Sequence, residues 1–165
     1  MTWCEYQEAC MRSCQVMSND RILDQARLGI IGETGEVCDL IKKTVFHGHP
    51  RNFDAMKKEL GDVCWYIAVY AKVYGAGLYV RSFYTPLNDD DNALVSAALG
   101  MGKLAGTIGK AQKNVHRLLQ LLLDEVVSMG IRFGGLPIFN IFDVNIAKLK
   151  ERYPDGFSTE RSLHR

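Results

Sequence analysis

Along most of this chain apolar side chains recur every three or four residues, and no stretch alternates apolar and polar residues for long. That period predicts an all-α fold, a bundle of about five to six helices. Thr2-Trp3-Cys4-Glu5 has the form of a capping box and opens a first helix near residue 3, running to about Met17. Ser18-Asn19-Asp20 breaks it and caps a second helix from about Arg21 to about Phe46. Gly48 and Pro50 punctuate a loop, after which a third helix runs from about Phe53 to Tyr74 and ends at Gly75-Ala76-Gly77. Residues 79–92, with Pro86 and the run Asp89-Asp90-Asp91, form the longest irregular stretch. The consecutive aspartates share no helical face and are not read as a metal site. Two further helices are expected at about 92–113 and 115–132, then a break at Gly134-Gly135-Leu136-Pro137. A last helix spans about Phe139 to Arg152, stopping ahead of Pro154, and residues 155–165 read as a polar tail.

Within this pattern two acidic pairs stand out. Glu33 and Glu36 lie three residues apart on the second helix, and Glu59 and Asp62 three apart on the third. Residues so spaced share a helix face. Their neighbours are largely apolar: Ile30, Ile31, Val37, Leu40 and Ile41 around the first pair, Leu60, Val63, Cys64 and Ile67 around the second. Carboxylates in such surroundings are costly unless paired or coordinated. If the two helices pack antiparallel, all four converge, and hard oxygen donors of this kind suit Mg²⁺, with Mn²⁺ as a substitute. Gly32, Gly35 and Gly61 lie beside them and weaken a helix by about 1 kcal/mol each, which points to close helix approach or room for a ligand. Asp39 and Lys43 follow Glu36 on the same side, so Lys43 can reach a phosphate; Tyr66 lies one turn beyond Asp62, and with Trp65 it can stack on a nucleobase.

Composition narrows the field further. At 165 residues the chain suits a single domain covering 1–165, and a net charge of +1 supplies no basic field for nucleic acid. No apolar run approaches the ~20 residues of a membrane span. Met1-Thr2-Trp3-Cys4-Glu5 lacks the features of a signal peptide, and the five cysteines are odd in number and without CxxC spacing. They read as free thiols of a cytoplasmic protein. A zinc site from Cys10, Cys14, His47 and His49 fits no standard spacing. No GxxxxGK[ST] loop is present.

The second half of the chain echoes the first. Residues 98–113 resemble 27–42 at a shift of 71, and the helix that follows resembles the third at a shift of 59. In that copy Glu33 becomes Leu104, Glu36 Thr107, Glu59 Leu118 and Asp62 Leu121. The alignment implies two stacked helix pairs, one acidic and one apolar, the latter a scaffold.

The motifs GETGEVCDLIKK, KKELGDVCWYIA and NIAKLKERYPDGF together resemble the MazG-like all-α nucleoside triphosphate pyrophosphohydrolases, over residues 4–77 and 140–158. Glu-Tyr-Gln at 5–7 and Phe-His-Gly-His-Pro at 46–50 are similar to the phage and bacterial branch. The segment from about 79 to 138 departs from simple members and is similar to dimeric dUTPase-type relatives with a degenerate second half. The resemblance implies Mg²⁺-dependent cleavage of a (deoxy)nucleoside triphosphate to the monophosphate and pyrophosphate. Glu33, Glu36, Glu59 and Asp62 match the metal ligands; Asn145 and Lys148 match substrate-contacting positions of the last helix, with Arg152 and Tyr153 in the same motif. Asn145, Lys148 and Arg152 also share one helix face, where the two cations would meet phosphates. Either Glu36 or Glu33 could serve as general base.

A homodimer or homotetramer is expected, because such helix pairs bury apolar faces by stacking. The competing readings are a non-catalytic nucleotide- or metal-binding regulator on the same fold and a structural helical adaptor. Base preference has no signature in the sequence.

Overall fold

A computed structural model describes residues 1–81 and 90–163. The described chain is all-α, with helices α1 (Trp3–Arg12), α2 (Asn19–Phe46), α3 (Phe53–Tyr74), α4 (Asp91–Lys110), α5 (Val115–Gly134), α6 (Ile138–Arg152) and the short α7 (Thr159–Leu163). Most of the irregular stretch expected at 79–92 lies outside the described residues. No helix among the described residues is long and apolar enough to cross a membrane.

The centre of the molecule is α3. Met56, Leu60, Val63, Cys64, Ile67 and the run from Ala68 to Ala71 are all buried, so this helix is enclosed around most of its circumference. It is flanked by α2 and α5, while α1 and α6 cover it elsewhere. By contrast α2 buries one stripe, Ile22, Ala26, Ile30, Thr34, Val37 and Ile41, at the three- and four-residue spacing of an amphipathic helix. α4 packs along α2 and against α5, which makes a four-helix body of α2 to α5. α4 begins and α5 ends within one residue of the positions that shifts of 71 and 59 give for the start of α2 and the end of α3.

Local signals set most helix ends. Thr2 and Glu5 make the capping box: the Glu5 amide donates to the Thr2 hydroxyl at 3.3 Å and the Thr2 amide to the Glu5 carboxylate at 2.7 Å. Asn52 accepts from the Ala55 amide at 3.0 Å and starts α3, and Gly75, at φ 76°, closes it in the left-handed region. α1 is shorter than expected, ending at Arg12 instead of about Met17. There the Ser13 hydroxyl donates to the Cys10 carbonyl at 3.0 Å, and it accepts from the Trp65 indole of α3, also at 3.0 Å. The helix end is thus capped locally by Ser13, whose hydroxyl also meets a side chain 52 residues away. The segment expected as a polar tail contains α7, which buries nothing. All five cysteines are free, with Cys10, Cys14 and Cys64 buried.

The helical glycines divide by what surrounds them. A Cβ at Gly32 or Gly35 would meet nothing within 4 Å, so these two mark open surface and no close helix approach. Gly130 is buried, and a Cβ there would lie 2.9 Å from the Leu136 carbonyl, a backbone atom with little freedom to yield. Gly130→Ala is expected to cost about 1–3 kcal/mol by overpacking. Gly32→Ala is expected to stabilise by up to about 1 kcal/mol through helix propensity. Chemical denaturation of the two variants reads this opposition in sign.

Candidate active site

Three helices contribute to one acidic centre. α2 supplies Glu33, α3 supplies Glu59 and Asp62 one turn apart, and α6 brings Lys148 against them. Carboxylate oxygens of Glu33, Glu59 and Asp62 lie within 4.8 Å of one another, and all three residues are half-buried. Glu36 is exposed and stands outside this group of three, so the expected convergence of four carboxylates is reduced to three with a fourth on the rim. Its charge still reaches the group, raising the pKa of both Glu33 and Glu59.

Burial and mutual repulsion govern the ionisation of the cluster. Loss of hydration is the largest influence on Glu33, followed by the charges of Asp62 and Glu59; together they push its carboxyl up to about 7, against the opposing pull of Lys148. Burial, then the Asp62 charge, raises Glu59 as well. Lys148 forms an ion pair with Asp62 through both carboxylate oxygens.

Asn145 was expected to touch substrate from the same face as Lys148 and Arg152. It is fully buried, donates through Nδ2 to Asp62 at 2.8 Å and accepts at Oδ1 from the Tyr6 hydroxyl at 2.8 Å. Gly61 explains the fit: a Cβ at that position would lie 2.9 Å from the Asn145 Cβ. The shared face of α6 thus divides: Asn145 is buried against α3, Lys148 pairs with Asp62 at its edge, and Arg152 lines the cleft. Burial pushes the Tyr6 phenol well above its ordinary pKa, so it keeps the proton it donates.

Beside the carboxylates lies a cleft. Glu33 and Asp62 line it, together with Trp65, Tyr66, Arg152, Tyr153 and Phe157 and the polar Ser13, Gln15 and Gln25. Tyr66 and Arg152 are thus brought to one cleft with Glu33 and Asp62. The Trp65 and Tyr66 rings meet edge-on at 4.8 Å. Lys43 is not part of this lining. It is exposed and pairs with Asp39, which also binds Lys42. Sequence reasoning missed Tyr6, Ser13, Gln15, Gln25 and Phe157. For Gln25 a signal existed, since it precedes Glu33 by eight residues and so shares its helix face; the others are placed by tertiary packing alone.

The donor set fits a divalent cation. It is all oxygen, carries more negative charge than Lys148 balances, and gathers within the reach of one ion. The described chain is all-α, and its acidic centre opens on a cleft walled by aromatic side chains and Arg152. Residues 23–80 match the family model of the MazG nucleotide pyrophosphohydrolase domain, a span that includes Glu33, Glu36, Glu59 and Asp62. The resemblance read from the α2 and α3 motifs holds over that span, and the domain it identifies points to nucleotide pyrophosphohydrolase chemistry. No curated protein and no solved structure gives a significant match.

A raised carboxyl favours the folded state below its ordinary pKa of 4.5, and that contribution is lost as pH rises through about 7. A cation held by Glu33 would oppose the loss, because it would require that carboxylate ionised. The increase in melting temperature on adding Mg²⁺ is therefore expected to be larger at pH 8 than at pH 6, measured by scanning calorimetry at fixed Mg²⁺. An equal increase at both values would remove Glu33 from the ligand set.

Proposed function

We propose that this chain is a Mg²⁺-dependent hydrolase that cleaves a (deoxy)nucleoside triphosphate to the monophosphate and pyrophosphate, with Mn²⁺ as a substitute ion. The observation that carries this reading is the gathering of Glu33, Glu59 and Asp62 within 4.8 Å beside a cleft that holds Arg152, Trp65 and Tyr66. The family match over α2 and α3 supports it.

Glu33, Glu59 and Asp62 would hold the metal, with Glu36 at the rim. The ion, when bound, neutralises phosphate charge and lowers the pKa of a coordinated water. Lys148, from beside Asp62, and Arg152, on the cleft wall, would bind phosphate oxygens; the guanidinium offers a two-pronged contact. Trp65 and Tyr66 offer flat surfaces to a base. Either Glu33 or Glu36 would serve as the general base. Residues 1–165 would act as one domain in which α4 and α5, lacking the carboxylates, form a scaffold. The functional unit would be a homodimer or homotetramer in the cytoplasm, acting on nucleotide pools.

The test is pyrophosphate release from a panel of dNTPs and NTPs with and without Mg²⁺. Metal-dependent release of pyrophosphate, absent in Glu59→Gln, is the expected result, and the panel reads the base preference. Nucleotide binding by equilibrium dialysis without turnover of any nucleotide would instead establish the regulatory reading.

A further inference from the structure

The acidic centre is held from behind by a buried polar chain that reaches it through three helices. Tyr6 of α1 is fully buried, stacked on Phe142 of α6 with ring centroids 4.1 Å apart and planes inclined by 14°. Its hydroxyl lies 2.8 Å from Asn145 Oδ1 and 3.2 Å from the Gly61 carbonyl. Asn145, also fully buried, donates from Nδ2 to Asp62 Oδ1. Gly61 adjoins Asp62 in sequence, so the chain grips both the carboxylate and the backbone beside it.

The polarity of this chain is forced by chemistry. An ionised carboxylate only accepts, so the amide nitrogen of Asn145 must face Asp62. The amide oxygen then faces Tyr6 and needs a donor there. A phenol supplies one, and phenylalanine does not. Were the hydroxyl missing, the buried Oδ1 would lose its partner, and a rotated amide would turn that oxygen on the carboxylate. Neither Tyr6 nor Asn145 is among the residues that line the cleft.

We propose that Tyr6 and Asn145 are positioning residues that act as a unit: Tyr6 sets the orientation of the Asn145 amide, and that amide fixes the Asp62 carboxylate in the rotamer that receives a divalent cation. This rests on the reading of Glu33, Glu59 and Asp62 as cation ligands. Partners that orient ligating groups from behind typically change metal affinity by about 10–100-fold when removed.

The test uses the full chain with Tyr6→Phe and Asn145→Ala, and Phe142→Leu as a packing control that leaves every polar group of the chain in place. Mn²⁺ affinity, followed by the paramagnetic resonance of free Mn²⁺, is expected to fall about tenfold or more in the first two. In Phe142→Leu it is expected to stay at the wild-type value even where melting temperature falls as far. Without metal, the Asn145 side-chain amide protons, resolved by nitrogen-15 NMR, are expected to lose their protection from exchange in Tyr6→Phe. Unchanged Mn²⁺ affinity in Tyr6→Phe would overturn the proposal, as would a loss no greater than that in Phe142→Leu. Weakened Mn²⁺ binding in Tyr6→Phe, with no nucleotide hydrolysed by the wild type, would uphold the positioning role and sink the hydrolase reading. No Mn²⁺ binding by the wild type would overturn both.

Discussion

Three carboxylates with oxygens inside 4.8 Å of one another repel, at roughly 3 kcal/mol per ionised pair for the effective permittivity of a protein surface region, before solvent and salt reduce it. Everything around Glu33, Glu59 and Asp62 bears on that repulsion. Lys148 offsets part of it, and protonation of Glu33, with its carboxyl pushed up to about 7, offsets more. A cation with hard-oxygen preference would offset most of it, which is why so unfavourable a cluster reads as a binding site and not as an accident of surface charge. The surrounding helices supply the stability that the cluster consumes. α3 contributes most of it, because it is buried along both the acidic turn and the apolar turns that follow.

The geometry of the centre depends on helices that bring no ligand. α6 reaches α3 closely enough to deliver Asn145 and Lys148 because Gly61 leaves room for the asparagine side chain. α1 is pinned on the same side through Tyr6, stacked on Phe142, and through Ser13, which receives the Trp65 indole hydrogen. That last bond ties the end of α1 to one aromatic wall of the cleft. Acidic centre, cleft wall and helix terminus are thus coupled through a few buried polar contacts, each of which would be expensive to leave half made.

The residues of the last helix illustrate how one sequence pattern can hold two roles. Asn145, Lys148 and Arg152 share a face by spacing, yet they differ sharply in depth. Asn145 is closed off by Gly61 and Tyr6, Lys148 reaches the rim of the acidic centre, and Arg152 lines the open cleft. Periodicity reports direction around a helix axis; depth depends on what packs against each turn.

Periodicity and capping chemistry therefore determined much of this protein without reference to any partner segment. The all-helical class, the bounds of α3, the capping box at Thr2 and Glu5 and the pairing of Glu59 with Asp62 are all local, because they depend on interactions within about one helical turn. The acidic motifs were legible for the same reason, as was the family resemblance over α2 and α3. Tertiary packing decided the rest. It left Glu36 on the rim while Glu33 joined the α3 pair, set the Trp65 indole on the Ser13 hydroxyl and made Asn145 a buried neighbour of Asp62. Tyr6 shows the limit most plainly: 139 residues separate it from Asn145, and a hydrogen bond across that distance leaves no mark on local spacing.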